Sequence, residues 1–373
     1  MQAVILAAGK GERMRPLTDS MPKVMLPVAN KPILQHSLEA LRGLVNEVIL
    51  IVGYRHEDIR SYFGTDFMGM DITYVMQDKQ LGTGHALLQA KPFVKGKFLF
   101  MMGDNLYERN DIQECLRHDY SILTRKVDNP RIFGICEARN SLLVGIEEKP
   151  EHPKSDLANA ALYVLDRRIF EQGMKKSRRG EYEVVDAVNS LAQETDIHVV
   201  ESERCEFLTY PWDLLRVNEY LLKKGAGSTD RSARISKDAR IEQPVIIGKN
   251  AEIRNAVIRP YTAIGDNAVI GNFVEIKNSI IMQGTKIPHL SYMGDSVIGR
   301  NCNFGAGTKV ANLRFDDATV KVEIKGKKVD SGRRKLGCIM GDNVKTGINA
   351  SIMPGDVIKA GSFVEAGKTH KQI

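Results

Sequence analysis

Cysteine is scarce. Cys115, Cys136, Cys205, Cys302 and Cys338 are scattered through 373 residues, too few and too far apart for the disulfide framework of a small secreted domain, so a reduced, cytoplasmic chain is expected. Long hydrophobic runs are also missing. The stretch MQAVILAAGKGERMRP is apolar only until glycine and charge interrupt it, and nothing reaches the roughly 18 consecutive apolar residues of a membrane span. Neither a secretion signal nor a membrane partner is expected. Charge of one sign is not in large excess either: 53 Lys plus Arg against 46 Asp plus Glu give a formal +7, too dilute at this length to imply nucleic acid. That balance suits anionic metabolites as well as a solvated surface. The length exceeds the usual single core, which makes two domains the starting expectation.

The two halves have different periodicities. Residues 1 to about 224 alternate short apolar runs such as AVILAAG, EVILIVG and KFLFMMGDN with amphipathic stretches such as NKPILQHSLEALRG, the pattern of an α/β domain with a mainly parallel sheet. A helix is expected from near Trp212 through LLRVNEYLLKK. The small and polar residues of 225–232 read as a linker. From 233 to 373 the period becomes six: Ile235, Ile241, Ile247 and Ile253, then Ile264, Ile270 and Ile276, then Ile298, Phe304 and Val310, then Met340, Thr346, Ile352, Ile358 and Val364. A recurrent six fits neither a helix nor a simple strand. It implies short strands joined by tight turns, three to a coil, with the aliphatic residue inside and Gly, Asn or Asp at the corners; an irregular sandwich is the plainer alternative. The register breaks between 253 and 264 and again between 276 and 287. Residues 311–337 hold no hexads and read as a loop ejected from the coil. The periodicity resembles the hexapeptide-repeat family, which implies a left-handed parallel β-helix.

LAAGKGERMRPLT follows the first apolar run directly. Gly9 and Gly11 let the backbone approach an anion, and Lys10, Arg13 and Arg15 add charge, although the spacing is neither of the common glycine fingerprints and also suits a plain strand-turn-helix junction. These residues resemble the signature of sugar-1-phosphate nucleotidylyltransferases, continued by Lys23 in MPK, Gln77, QLGTGHA, GDN at 103–105, FG at 133–134, EEKP and NAALY. The resemblance implies a Rossmann-like nucleotidyltransferase domain. It places Leu6, Ala7, Ala8, Gly9, Gln77, Gly82 and Thr83 at the nucleoside, Arg13 and Lys23 at the triphosphate, and Gly134, Glu148, Lys149 and Asn159 at the sugar phosphate. In such a transfer both partners are anions, so charge neutralisation and alignment carry the catalysis. Asp104, at a strand end, is the best Mg²⁺ ligand, and as plainly a capping acid for the next segment. Where relatives carry a second acid this chain has Phe207, leaving Glu206 or Asp213 as weak substitutes; ordinary structural roles explain both equally.

His289 is the natural general base of the second half, since an imidazole titrating near neutrality can accept a proton from an attacking amine. A lone histidine after Pro288 is as readily a surface residue. Its setting, HLSYMGD, resembles HLTYLGD in the acetyltransferase half of the bacterial bifunctional GlmU family, with VIRPYTAIG, EIKNS and NFGAGT in the same order. That resemblance implies that Arg259 and Lys277 bind the hexosamine phosphate, that Tyr292 and Asn303 help to place it, that Asn312 orients the amine or the base, and that acetyl-CoA runs past Ala306. NLRFD and SGRRKLG depart from the bacterial pattern and look like the archaeal-type bifunctional sugar-1-phosphate nucleotidylyltransferase/acetyltransferase family. Arg333, Arg334 and Lys335 suit the 3′-phosphate of coenzyme A or the sugar phosphate, and a solvated basic loop explains them equally. The implied reactions are acetylation of glucosamine-1-phosphate, with galactosamine-1-phosphate a plausible second acceptor, and uridylyl transfer from UTP (or dTTP), with Mg²⁺, in a homotrimer. The alternatives are a thymidylyl- or uridylyltransferase with a non-catalytic coil, or a regulatory subunit.

Overall fold

The computed structural model describes residues 1–177 and 180–370, so positions 371–373 of the expected 233–373 domain lie outside the described residues. Its contacts divide the chain into two units, one of Met1–Lys10, Pro22–Met25 and Ile33–Phe207, the other of Gly11–Met21, Leu26–Pro32 and Leu208–Ile373.

The first unit is built on a ten-stranded sheet. Gln2–Ala7 lies between Glu47–Val52 and Phe98–Met102, parallel to both, and Met70–Met76 extends the parallel block. All six residues of Gln2–Ala7 are buried, as expected of a strand covered on both faces. Helix Ile33–Leu41 buries Leu34, Leu38 and Leu41, at helical spacing, against one face, while Leu87, Val184 and Val188 pack against the other. The sheet is less parallel than the sequence suggests. Leu157–Leu165 runs antiparallel to both Phe98–Met102 and Ser121–Lys126, and Gly134–Arg139 forms a hairpin with Leu142–Glu148. The hairpin turn is Asn140–Ser141, both at positive φ, a two-residue connection that only antiparallel neighbours can share.

In the second unit three seven-stranded sheets stack from strands mostly two residues long, every pairing parallel. Ser228–Thr229 pairs with Ile246–Ile247 and that strand with Ala263–Ile264, so successive coils advance by 18 and then 17 residues. The breaks in the hexad register are therefore single residues dropped at a corner, and they leave the inward stack intact. Ile247, Ile253, Ile264, Ile270, Ile276 and Ile298 are all buried. Ile235, in the outermost coil, is 37% exposed. Corners fall on Asn250, Asn267, Asn301 and Asn343, all with positive φ.

Two segments differ from expectation. The stretch 225–232 already contains the strand Ser228–Thr229, and a π-helical turn, Leu222–Ala226, prolongs helix Asp213–Leu221 until Gly225 turns the chain at φ 103°. The ejected segment carries a hairpin of its own, Lys321–Ile324 against Lys327–Asp330, with Val320, Val322 and Leu336 buried. Its VKVEI alternation is the strand signal that hexad counting passes over.

Candidate functional site

At the C-terminal edge of the parallel block, Leu6, Ala7 and Ala8 are buried and lead into Gly9. The Ala8 carbonyl accepts from the Gln80 side chain. Gln77 is buried and its Nε2 lies 3.1 Å from His85 Nδ1. Gly82 has φ 109°, and a Cβ there would meet the Tyr182 carbonyl oxygen at 2.4 Å, so glycine alone fits ahead of helix Thr83–Gln89. Thr83 Oγ1 accepts from the Val184 N–H at 3.2 Å. Asp104 follows strand Phe98–Met102, and Lys23 Nζ lies 2.5 Å from its Oδ2, with side chains 12% and 21% exposed.

The four residues expected at a sugar phosphate converge. Gly134 is paired with Glu148 in the hairpin, and a Cβ at Gly134 would come 2.9 Å from Glu148 Oε2 and 3.8 Å from Asn159 Cβ. Lys149, at φ 51°, donates its N–H to the Phe133 carbonyl at 2.9 Å and holds Nζ 3.8 Å from Glu148 Oε1. Asn159 sits at a register shift between paired strands, donates to the Tyr163 hydroxyl at 2.5 Å and accepts from the Ala161 N–H at 2.8 Å. Burial pushes the Tyr163 phenol far up, so it stays protonated.

Phe207 is the residue expected where relatives carry a second acid. It pairs with Asn105, the neighbour of Asp104, and its ring lies 5.1 Å from that of Phe133 with the Arg125 guanidinium 5.2 Å above it. Glu206 is buried between Arg204, at 3.0 Å, and Arg125, at 3.7 Å, so its charge is committed to arginines. Among the described residues no three His, Cys, Asp or Glu side chains form a metal cluster. A single carboxylate still suits Mg²⁺, which keeps its waters and binds through one or two carboxylates plus substrate phosphates. In the second unit, Arg13 lies in a 3₁₀ turn with its guanidinium 5.9 Å from the Tyr210 ring. Asp213 Oδ2 accepts from the Thr209 and Tyr210 N–H groups, both at 2.8 Å, and so caps the turn before its helix.

The coil assembles a second constellation. His289 ends strand Lys286–His289 with its ring exposed, and its carbonyl accepts from the Gly307 N–H at 3.3 Å, which places Ala306 on the adjoining coil. Arg259 pairs with Glu275 at 3.0 Å. Lys277 Nζ and the Asn312 amide approach Asp295, and the Tyr292 hydroxyl lies 3.4 Å from the same amide. Burial first, then Asp295 and Glu275, raise the Tyr292 phenol, which keeps it a hydroxyl. Asn303 is exposed and pairs through its backbone with Lys286 and Lys345. The two arginines part company: Arg333 turns toward Asp295 at 3.9 Å, whereas Arg334 makes a surface pair with Asp317. Asp295 and Glu275 are the residues that sequence reasoning missed. Both lie in strings already singled out, HLSYMGD and EIKNS, and Gly294 beside Asp295 is a further signal, since a Cβ there would lie 2.4 Å from the Asn312 amide nitrogen.

Residues 2–205 match the nucleotidyl transferase family profile, and residues 241–360 match that of the GMPPB C-terminal domain. A bifunctional protein GlmU of Methanocaldococcus jannaschii is 45% identical across 97% of this chain and 92% of its own length. A bifunctional sugar-1-phosphate nucleotidylyltransferase/acetyltransferase of Sulfurisphaera tokodaii is 39% identical across 97% of this chain and 95% of its own. The chain belongs to this bifunctional family. It is accordingly an enzyme with a nucleotidyltransferase and an acetyltransferase half. A solved structure of a putative glucose-1-phosphate thymidylyltransferase from Bacillus anthracis superposes with a TM-score of 0.54 at 30% identity, covering 59% of this chain and 94% of that one. No helix among the described residues is long and apolar enough to cross a membrane.

Proposed function

We propose that this member of the family makes UDP-N-acetylglucosamine in two steps, N-acetylation of glucosamine-1-phosphate on the coil and uridylyl transfer to the product on the α/β half, releasing coenzyme A and pyrophosphate. The observation that carries the reading is the convergence of Lys277, Tyr292 and Asn312 in the coil that also presents His289. In this scheme His289 takes the proton from the attacking amine, Arg259 and Lys277 hold the sugar phosphate, and Tyr292, Asn303 and Asn312 orient the acceptor. Acetyl-CoA lies along Ala306, with Arg333 and Arg334 toward its phosphates. Galactosamine-1-phosphate fits the same chemistry.

At the other end a sugar-phosphate oxygen attacks the α-phosphorus of UTP, or of dTTP. Leu6 to Gly9, Gln77, Gly82 and Thr83 hold the nucleoside, Arg13 and Lys23 neutralise the triphosphate, and Gly134, Glu148, Lys149 and Asn159 place the acceptor. Asp104, with Asp213 as the weaker partner, would hold Mg²⁺, which when bound neutralises charge on the phosphates. The reactions divide between residues 1–224 and 233–373, in a cytoplasmic homotrimer whose coil is left-handed. The test is product analysis with acetyl-CoA, glucosamine-1-phosphate and either UTP or dTTP; absence of any acetylated sugar phosphate would overturn the reading of the coil.

A further inference from the structure

We infer that Asp295 is a positioning residue for acetyl transfer, its buried carboxylate fixing Lys277 and Asn312 at the acceptor, which rests on the assignment of those two residues to the sugar phosphate. Asp295 occupies a corner of the coil at φ 51°. The matching corners of the other coils include Tyr261, Asn278 and Gly355, also at positive φ, and Gly337, and none of them is charged. Hexad packing therefore asks for no acid here.

The carboxylate is 4% exposed and both oxygens are engaged. Oδ1 accepts from Asn278 Nδ2 and Oδ2 from Asn312 Nδ2, each at 2.6 Å. Arg333 stands 3.9 Å from Oδ1 and Lys277 Nζ 4.0 Å from Oδ2. Burying a carboxylate is unfavourable unless it is paired, and these partners come from the preceding coil and from both ends of the ejected segment. The backbone repeats the linkage: the Asp295 N–H donates to the Lys277 carbonyl at 2.9 Å, and its own carbonyl accepts from the Gly337 N–H at 2.8 Å. Among the described residues Asn278 Oδ1 is buried with no hydrogen-bond partner, so the bond to Asp295 is what orients that amide.

An asparagine at 295 would turn an NH₂ group toward one of two NH₂ donors, and one of those amides would have to release. It would also leave Lys277 and Arg333 without their shared counter-charge. Simple electrostatics and positioning then predict opposite results. A more positive pocket would bind the sugar phosphate more tightly, whereas a disordered Lys277 and Asn312 would bind it less well.

The experiment is Asp295→Asn in the full-length chain, with acetylation measured while the aminosugar phosphate and acetyl-CoA are varied separately. The expected result is a KM for the aminosugar phosphate raised about tenfold, well beyond any change in the KM for acetyl-CoA that the loss of Arg333's partner brings, with nucleotidyl transfer to preformed N-acetylglucosamine-1-phosphate unchanged. Loss of folded enzyme alone would lower kcat and leave both KM values in place, and either that pattern or a lowered acceptor KM would overturn the role. Should Asp295→Asn fail to fold, Asn278→Ala removes one donor and keeps the carboxylate; it should raise the same KM about threefold, and an unchanged value would overturn the role. Acetylation by His289→Ala at the wild-type rate in the same assay would overturn the site assignment, and this role with it.

Discussion

At the scale of single residues, the two ends of the chain should fail independently. His289→Ala is expected to lower acetyl transfer by about 10²–10⁴ while leaving nucleotidyl transfer to preformed N-acetylglucosamine-1-phosphate intact. Asp104→Asn should do the reverse, because it removes the carboxylate that Lys23 grips at 2.5 Å; pyrophosphate release and acetylation measured on both variants separate the outcomes. The cysteines supply a third test. All five are buried and none forms a disulfide, and desolvation pushes Cys115 and Cys136 up to about 12 and Cys302 up to about 11. The native enzyme should therefore resist alkylation at pH 8, and the denatured chain should take up one label per cysteine; prompt labelling of the native protein would contradict the burial. The single-residue assignments were proposed from signature strings that keep their order. What sequence could not supply was the partner of each charge: Glu206 looks like a spare acid until Arg204 and Arg125 are seen on either side of it.

Among elements, the coil was read from its period and the α/β sheet only in part. A hexad repeat survives the loss of one corner residue, since the inward aliphatic still stacks on the coil below, so 17- and 18-residue coils look alike in one dimension. Antiparallel pairing in the sheet depends on short turns such as Asn140–Ser141, which a list of apolar runs does not rank. The hairpin in 311–337 was hidden for a related reason: its alternation is only four residues long in each strand. That hairpin rests on Gly355, where φ is 81° and a Cβ would fall 2.6 Å from Val320 Cγ1 and 2.9 Å from the Lys321 carbonyl. Gly355→Ala should destabilise the second unit by on the order of 1–3 kcal/mol and loosen the segment that carries Arg333. Faster hydrogen exchange confined to 319–336 would show it; exchange identical to wild type would contradict it.

At the scale of the whole molecule, the proposed homotrimer needs apolar surface to bury, and the coil exposes some. Phe273 and Leu290 take positive φ, costly for bulky residues by on the order of 1 kcal/mol each, and yet are 67% and 56% exposed; Ile348 is 59% exposed. In the proposed homotrimer a second copy would cover these exposed apolar side chains. Light scattering should give three times the 41.6 kDa chain mass, and Leu290→Glu should reduce it. The most direct test of the two-reaction account follows one sugar through both steps. Wild-type enzyme given glucosamine-1-phosphate, acetyl-CoA, UTP and Mg²⁺ should release coenzyme A and pyrophosphate in equal amounts and accumulate UDP-N-acetylglucosamine, while His289→Ala should make that product only from preformed N-acetylglucosamine-1-phosphate. Formation of the product from glucosamine-1-phosphate by the His289→Ala enzyme at the wild-type rate would contradict the account.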